Sequence, residues 1–201
     1  MLPTIKTAQL ACVATLFAAV TSVDGHGAMT VPKPTFMNGT VKEAYCATIR
    51  GPPTGMGAPA GMTYSSNGAN NARVYERAFG NQNRYRNLRE LVDFTAVFSA
   101  GADKECGFTS ATGAKQPLPA QYVEWNNRVN QGLAPTHEGP CEVWCDQQLA
   151  FKDFNCAKNF MGAPAKLSYK KSVCTGAKML KFYWLSLDSR EWEVYINCVP
   201  L

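Results

Sequence analysis

The sequence predicts an all-β sandwich, and three observations carry that expectation. Six short runs from Leu91 onward are rich in β-branched and aromatic residues: "LVDFTAVF", "QYVEW", "CEVWC", "KLSYKK", "MLKFYWLSL" and "WEVYINCV". Turn residues separate them, and their lengths suit strands. Eight cysteines accompany them, as expected of a loop-rich fold braced by disulfides.

The chain opens on a leader. Lys6 starts it, the apolar run "LACVATLFAAV" (Leu10 to Val20) follows, and "TSVDG" supplies small and polar residues. This is the layout of a secretory signal peptide, and the apolar run falls short of the roughly 20 residues that span a bilayer. Cutting between Gly25 and His26 leaves residues 26–201 as a single domain, long enough to bury a real core. Val23 and Gly25 fit the small-x-small rule loosely, so a cut a residue or two away stays open. The expected product is a secreted, extracellular monomer with no membrane span.

Next comes Asn38-Gly39-Thr40, an N-glycosylation sequon in an expected surface segment, with Asn38 the acceptor. Residues 47–72 are rich in Gly, Pro, Ala and Ser, and read as a long surface loop. The run "RVYERAFGNQNRYRNLRE" follows and holds Arg73, Arg77, Arg84, Arg86 and Arg89. Part of it reads as a short helix with Arg73 and Arg77 on one face. Strands are expected from Leu91 onward. "DSRE" makes a tight reversal between the last two runs, so those two form a hairpin.

Removing Cys12 with the leader takes eight cysteines to seven: Cys46, Cys106, Cys141, Cys145, Cys156, Cys174 and Cys198. Seven allow three bridges and leave one thiol, whose identity the sequence does not reveal. Cys174 with Cys198 is the expected pair, because they flank two consecutive strands. A loop of that size is worth about 3–4 kcal/mol. No paired CxxC motifs argue for zinc.

The chain has two histidines. A cut before His26 would give it a free α-amine beside its imidazole. That amine nitrogen, Cα, Cβ, Cγ, Nδ1 and a metal close a six-membered ring. The amine's ordinary pKa of about 7.7–8.0 lets a metal displace its proton at small cost near neutral pH. His137 lies in "THEGPCEVWCD", in a loop at a strand's entrance. Its ring would add a third nitrogen, and three neutral nitrogens in a T suit Cu(II). On the last strand Trp192, Val194, Ile196 and Cys198 point one way, toward the core. Glu193, Tyr195 and Asn197 point the other, which sets a carboxylate beside a phenol.

Together these residues resemble the lytic polysaccharide monooxygenases. In that group an N-terminal His, a second His in an "HxGP" turn and a C-terminal "[Gln/Glu]-x-Tyr-x-x-Cys" strand recur. Here they are His26, His137-Glu138-Gly139-Pro140 and Glu193-Val194-Tyr195-Ile196-Asn197-Cys198. The "HGAMTVP" start and "INCVPL" ending look most like the oomycete pectin-active family, auxiliary activity family seventeen. The resemblance implies an immunoglobulin/fibronectin-III-like β-sandwich with one copper ion on an exposed face. His26 (amine and Nδ1) and His137 would form a histidine brace, Tyr195 would lie axially, and Glu193 would position the oxygen species. It also implies oxidative cleavage of a glycosidic bond, with an external electron donor and O2 or H2O2 as co-substrates.

Charge bears on the substrate. The formal net charge is +5, and it is unchanged by losing Lys6 and Asp24. Secretion argues against nucleic acid. Polyanionic pectin suits the charge better than neutral cellulose or chitin, and arginine's planar fork matches uronate carboxylates. Arg73, Arg77, Arg84, Arg86 and Arg89 are therefore candidate substrate residues, although a solvated basic surface reads equally well. The alternatives are the same chemistry on cellulose or chitin, and a non-catalytic secreted copper-binding or carbohydrate-binding effector. No carboxylate spacing singles out a hydrolase pair.

Overall fold

The structure is a computed structural model that describes residues 26–40 and 42–201; the leader read over residues 1–25, Cys12 included, lies outside them. The described strands are β1 (Ala28–Val31), β2 (Ala47–Arg50), β3 (Val97–Phe98), β4 (Tyr122–Asn126), β5 (Cys141–Cys145), β6 (Gln148–Asp153), β7 (Ala165–Ser168), β8 (Met179–Ser186) and β9 (Glu191–Pro200). Helices α1 (Gly68–Asn81), α2 (Leu88–Thr95) and α3 (Cys156–Asn159) complete the fold. The strands form two antiparallel sheets, ordered β1-β4-β7 and β3-β2-β9-β8-β5-β6. This is the disulfide-stabilised β-sandwich expected from the sequence.

The larger sheet is covered on both faces. Toward the small sheet, Phe182, Trp184, Tyr195 and Val199 pack with Trp125, Val123 and Leu167. The Trp125 and Phe182 rings lie 5.1 Å apart, and truncating such a buried ring typically costs about 3–5 kcal/mol. On the other face Tyr183, Leu185, Trp192, Val194 and Ile196 pack against Ala72 and Tyr75 of α1 and Leu91 and Val92 of α2. Double coverage explains why β8 reads as an almost continuous apolar run rather than an alternating one. Its one charge, Lys181, is buried and held by Glu105 at 2.6 Å.

The hairpin across "DSRE" is present, with Ser186 opposite Glu193. Two expectations are corrected. "LVDFTAVF" is mostly helix, and only Val97–Phe98 is strand. Leu88, Leu91 and Val92 recur at helical spacing and are buried. The helix also has a strong start: Asn87 Oδ1 accepts from Glu90 N, and the buried Glu142 carboxylate on β5 accepts from Leu88 N and Arg89 N. The expected loop over 47–72 is likewise shorter at both ends, because Ala47–Arg50 is strand β2, paired with β9. α1 begins at Gly68, capped by Asn67 Oδ1 accepting from Asn70 N.

The Cys174–Cys198 pairing is also corrected. The bridges are Cys106–Cys198, Cys141–Cys156 and Cys145–Cys174, and Cys46 is a free, buried thiol. Strand alternation supplies the reason. Cys198 shares its face of β9 with Val194 and Ile196, whereas Cys174 packs with Tyr195 and Val199 on the opposite side. The sheet itself separates the two sulfurs.

Candidate metal centre

His137 lies in the loop before β5, as its sequence context predicts. Its N–H donates to Ala134 O at 2.9 Å. The loop is then laid along the end of β8, where Leu187 N donates to Glu138 O at 3.0 Å and Leu185 N to Pro140 O at 2.9 Å. Gly139 makes this approach feasible, because a Cβ there would sit 2.0 Å from Leu185 O. The "HEGP" sequence thus has a packing reason besides a chemical one.

The imidazole is buried, 2 % exposed. Nδ1 meets Thr136 Oγ1 at 2.9 Å. Nε2 faces Glu193 Oε2 and Asp188 Oδ2, each at 3.7 Å, which is too long for a hydrogen bond. A metal at Nε2 requires the tautomer in which Nδ1–H donates to Thr136 Oγ1, and the 2.9 Å contact accommodates it; without a metal, the two carboxylates facing Nε2 favour the proton there.

β9 supplies the next two groups. Tyr195 is fully buried and stacks on its cross-strand partner Trp184, with ring centroids 4.8 Å apart. Its hydroxyl donates to Glu193 Oε2 at 2.8 Å. The alternation expected on this strand therefore holds: Glu193 and Tyr195 share a face. Burial raises the Glu193 carboxyl above the ordinary carboxylate range, and Asp188 adds to the rise; the Tyr195 hydrogen bond and His137 oppose it. Burial, and then the Glu193 charge, push the Tyr195 phenol far above its ordinary value.

His26 arrives from the other sheet. Its ring lies 6.2 Å from the Tyr195 ring and 5.7 Å, edge-on, from Tyr45. Two features hold it there. Gly27 lies so close to Trp125 that a Cβ would come within 2.5 Å of the indole nitrogen. Met29 N donates to the buried Asn197 Oδ1 at 2.8 Å, which ties β1 to β9. His26, His137, Glu193 and Tyr195 therefore gather at one end of the sandwich.

Sequence reasoning missed Asp188, Thr136 and Tyr45. Asp188 sits in the β8–β9 turn, where Ser186 Oγ donates to its Oδ1 at 2.9 Å. One ligand atom each from His137, Asp188 and Glu193 lie within 4.8 Å of one another. Asp188 was visible in the "DSRE" turn only as a turn residue. The donors that meet at ligand spacing are one imidazole and two carboxylates, with the Tyr195 phenol on Glu193 and the His26 ring 6.2 Å from the Tyr195 ring. Such nitrogen and oxygen donors fit a divalent transition metal with a tetragonal preference, copper among them.

The five arginines do not form one patch. Arg73 donates to Asn70 Oδ1 on the exposed side of α1, where Arg77 is also exposed. Arg84 donates to the Tyr85 hydroxyl, Arg86 is paired with Glu90 at 3.0 Å, and Arg89 lies over Trp144 and donates to Asp146 O and Gln147 Oε1. Asn38 is exposed in a turn, accessible to a glycosylating enzyme. Among the described residues no helix is long and apolar enough to cross a membrane. No protein-family model matches this chain, and no curated protein sequence matches it significantly.

Proposed function

We propose that this protein is a secreted, copper-dependent lytic polysaccharide monooxygenase acting on a polyanionic polysaccharide, pectin first among them. The observation that supports it most is the meeting of residues far apart in sequence. His137 Nε2 and the Tyr195 hydroxyl both address Glu193 Oε2, at 3.7 and 2.8 Å, and the His26 ring lies 6.2 Å from the Tyr195 ring.

Cutting before His26 turns its backbone nitrogen from an amide into an amine, and that amine with Nδ1 would hold copper in a chelate. His137 Nε2, oriented by Thr136, would be the third nitrogen, and Tyr195 would hold its phenol beside the ion. Copper, when bound, supplies one-electron redox chemistry with O2 or H2O2, ending in oxidation of a sugar carbon beside the glycosidic bond. Tyr195 engages Glu193 Oε2, which leaves Oε1 to hold or pass a proton at the open side. Tyr195, walled by Trp184 and Trp125, keeps water from the buried side. The net charge of +5 favours an anionic polymer over cellulose or chitin.

The test compares the chain beginning at His26 with one carrying an extra Ala before it. Tight Cu(II) binding with nitrogen hyperfine structure in EPR should belong only to the first form, and oxidised oligogalacturonides should follow when reductant is added. A second reading rests on the His137–Asp188–Glu193 cluster, which needs no free amine: a non-catalytic metal-binding protein. Equal metal affinity in both forms, with no oxidised product, selects it and overturns the monooxygenase.

A further inference from the structure

A cleft of about 510 Å³ opens beside the metal centre, between the end of β2, the segment before α1 and the β8–β9 turn; Arg50, Tyr64, Ser66, Arg190, Glu191 and Trp192 line it. None of these residues belongs to the metal centre. The volume falls within the range of ordinary small-molecule sites, about 300–1,000 Å³.

The walls are braced. Gly51 N donates to Arg190 O at 3.0 Å, which pins the end of β2 to the turn. Gly51 also lets β2 lie against the Trp192 indole, since a Cβ there would come within 2.2 Å of it. Asn71, fully buried, accepts from Ser65 N at 2.8 Å and donates to Ser65 O at 2.9 Å and Leu187 O at 2.6 Å. One side chain thus ties the Tyr64 segment to the β8–β9 turn.

The lining has unmet polar capacity. Among the described residues neither Arg50 nor Arg190 forms an ion pair, although Glu191 lies opposite Arg50 across the β2–β9 ladder. The Tyr64 hydroxyl is buried without a hydrogen-bond partner. Its half-buried ring packs 5.5 Å from the buried Trp192 indole, so the Tyr64 ring is the aromatic surface beside the two guanidinium groups. A planar anion carried on a body with hydroxyls and an apolar face matches this set. The guanidiniums take the anion, the Ser66 hydroxyl takes a ring hydroxyl, and the Tyr64 ring takes the apolar face.

We propose that this cleft binds the carboxylate-bearing unit of a sugar acid. The β8–β9 turn is shared: Asp188 serves the metal centre, while Ser189, Arg190 and Glu191 line the cleft. The start of α1 abuts the same place, with the Cβ position of Gly68 3.0 Å from Thr136 O and 3.5 Å from Asp188 Cα. A chain anchored in the cleft would therefore run over the turn toward His137. This last step rests on the polysaccharide reading above; binding in the cleft does not.

The experiment is titration of the metal-free chain, beginning at His26, with trigalacturonate. Its methyl ester, cellotriose and acetate serve as comparators. Trigalacturonate should bind, and the ester and cellotriose should bind at least about tenfold more weakly, as expected for loss of charge-assisted bonds. Arg50→Gln and Arg190→Gln should each weaken binding about tenfold, and Ser66→Ala a few-fold. Lys158→Gln, an exposed charge lost elsewhere, should match the wild type. Both arginines are exposed, so the variants should keep the wild-type denaturant midpoint. Equal binding of the ester or acetate overturns the proposal, as does full affinity in the double arginine variant. Cleft binding without oxidised products on copper loading keeps the cleft and removes the monooxygenase. Oxidised products with no effect of the arginine variants do the reverse.

Discussion

Asn197 is the hinge between the fold and the candidate metal centre, and replacing it tests how His26 is held in place. Its Oδ1 accepts from Met29 N at 2.8 Å across 168 residues of sequence, and its Nδ2 donates to Ile196 O at 2.8 Å. Asn197→Ala leaves the Met29 N–H buried without a partner, which costs about 1–3 kcal/mol. For a domain of this size that lowers Tm by roughly 2–12 °C, at about 2–4 °C per kcal/mol. Asn197→Leu keeps side-chain volume without an acceptor, so it separates packing from hydrogen bonding. Thermal unfolding of the metal-free protein reads the global loss, and amide exchange at Met29 reads the local one. Both variants should lose protection at Met29, and copper affinity should fall with it, because β1 carries His26 to Tyr195. Wild-type exchange at Met29 in both variants, with stability unchanged to within about 0.5 kcal/mol, would refute the reasoning.

Three further outcomes follow. Burial pushes the Cys46 thiol up to about 12, so it should resist a thiol reagent in the native protein and react once on denaturation; rapid native labelling contradicts this. Replacing Cys106 and Cys198 with Ser, a bridge across a sequence separation of 92, should cost about 4–5 kcal/mol, against about 3 kcal/mol for Cys141 and Cys156, separated by 15; denaturant midpoints in the opposite order contradict it. Glu142 is held above the ordinary carboxylate range, chiefly by burial and against the hydrogen bonds it accepts. The folded state therefore keeps that proton longer than the unfolded one, and stability falls as pH rises from the ordinary value through the raised one. Glu142→Gln removes this loss, so the wild type should lose Tm relative to the variant across that window; a difference flat with pH contradicts it.

Much of the fold was legible because its cause is local. β-branched and aromatic runs between turns mark β4, β5, β7, β8 and β9, and "DSRE" marks the last hairpin. The run at Leu91 misled because α2 owes its start to Glu142 on a distant strand as well as to Asn87. At the centre, the strand period alone sets Glu193 beside Tyr195, and the loop ahead of β5 is evident in "HEGP". Thr136 and Asp188 were not legible, since a hydroxyl and a turn carboxylate acquire meaning only from what they face.

By itself, then, the sequence determined the β-sandwich class and the strand that carries Glu193 and Tyr195 on one face. Periodicity and composition act within a few residues, so they survive without the fold. Only the tertiary structure decided the disulfide partners, the free Cys46, the carboxylate of Asp188 beside His137 and the Arg50–Arg190 cleft. Each depends on which face of a doubly covered sheet a side chain occupies and on which distant segment packs there, and chain order does not encode that distance.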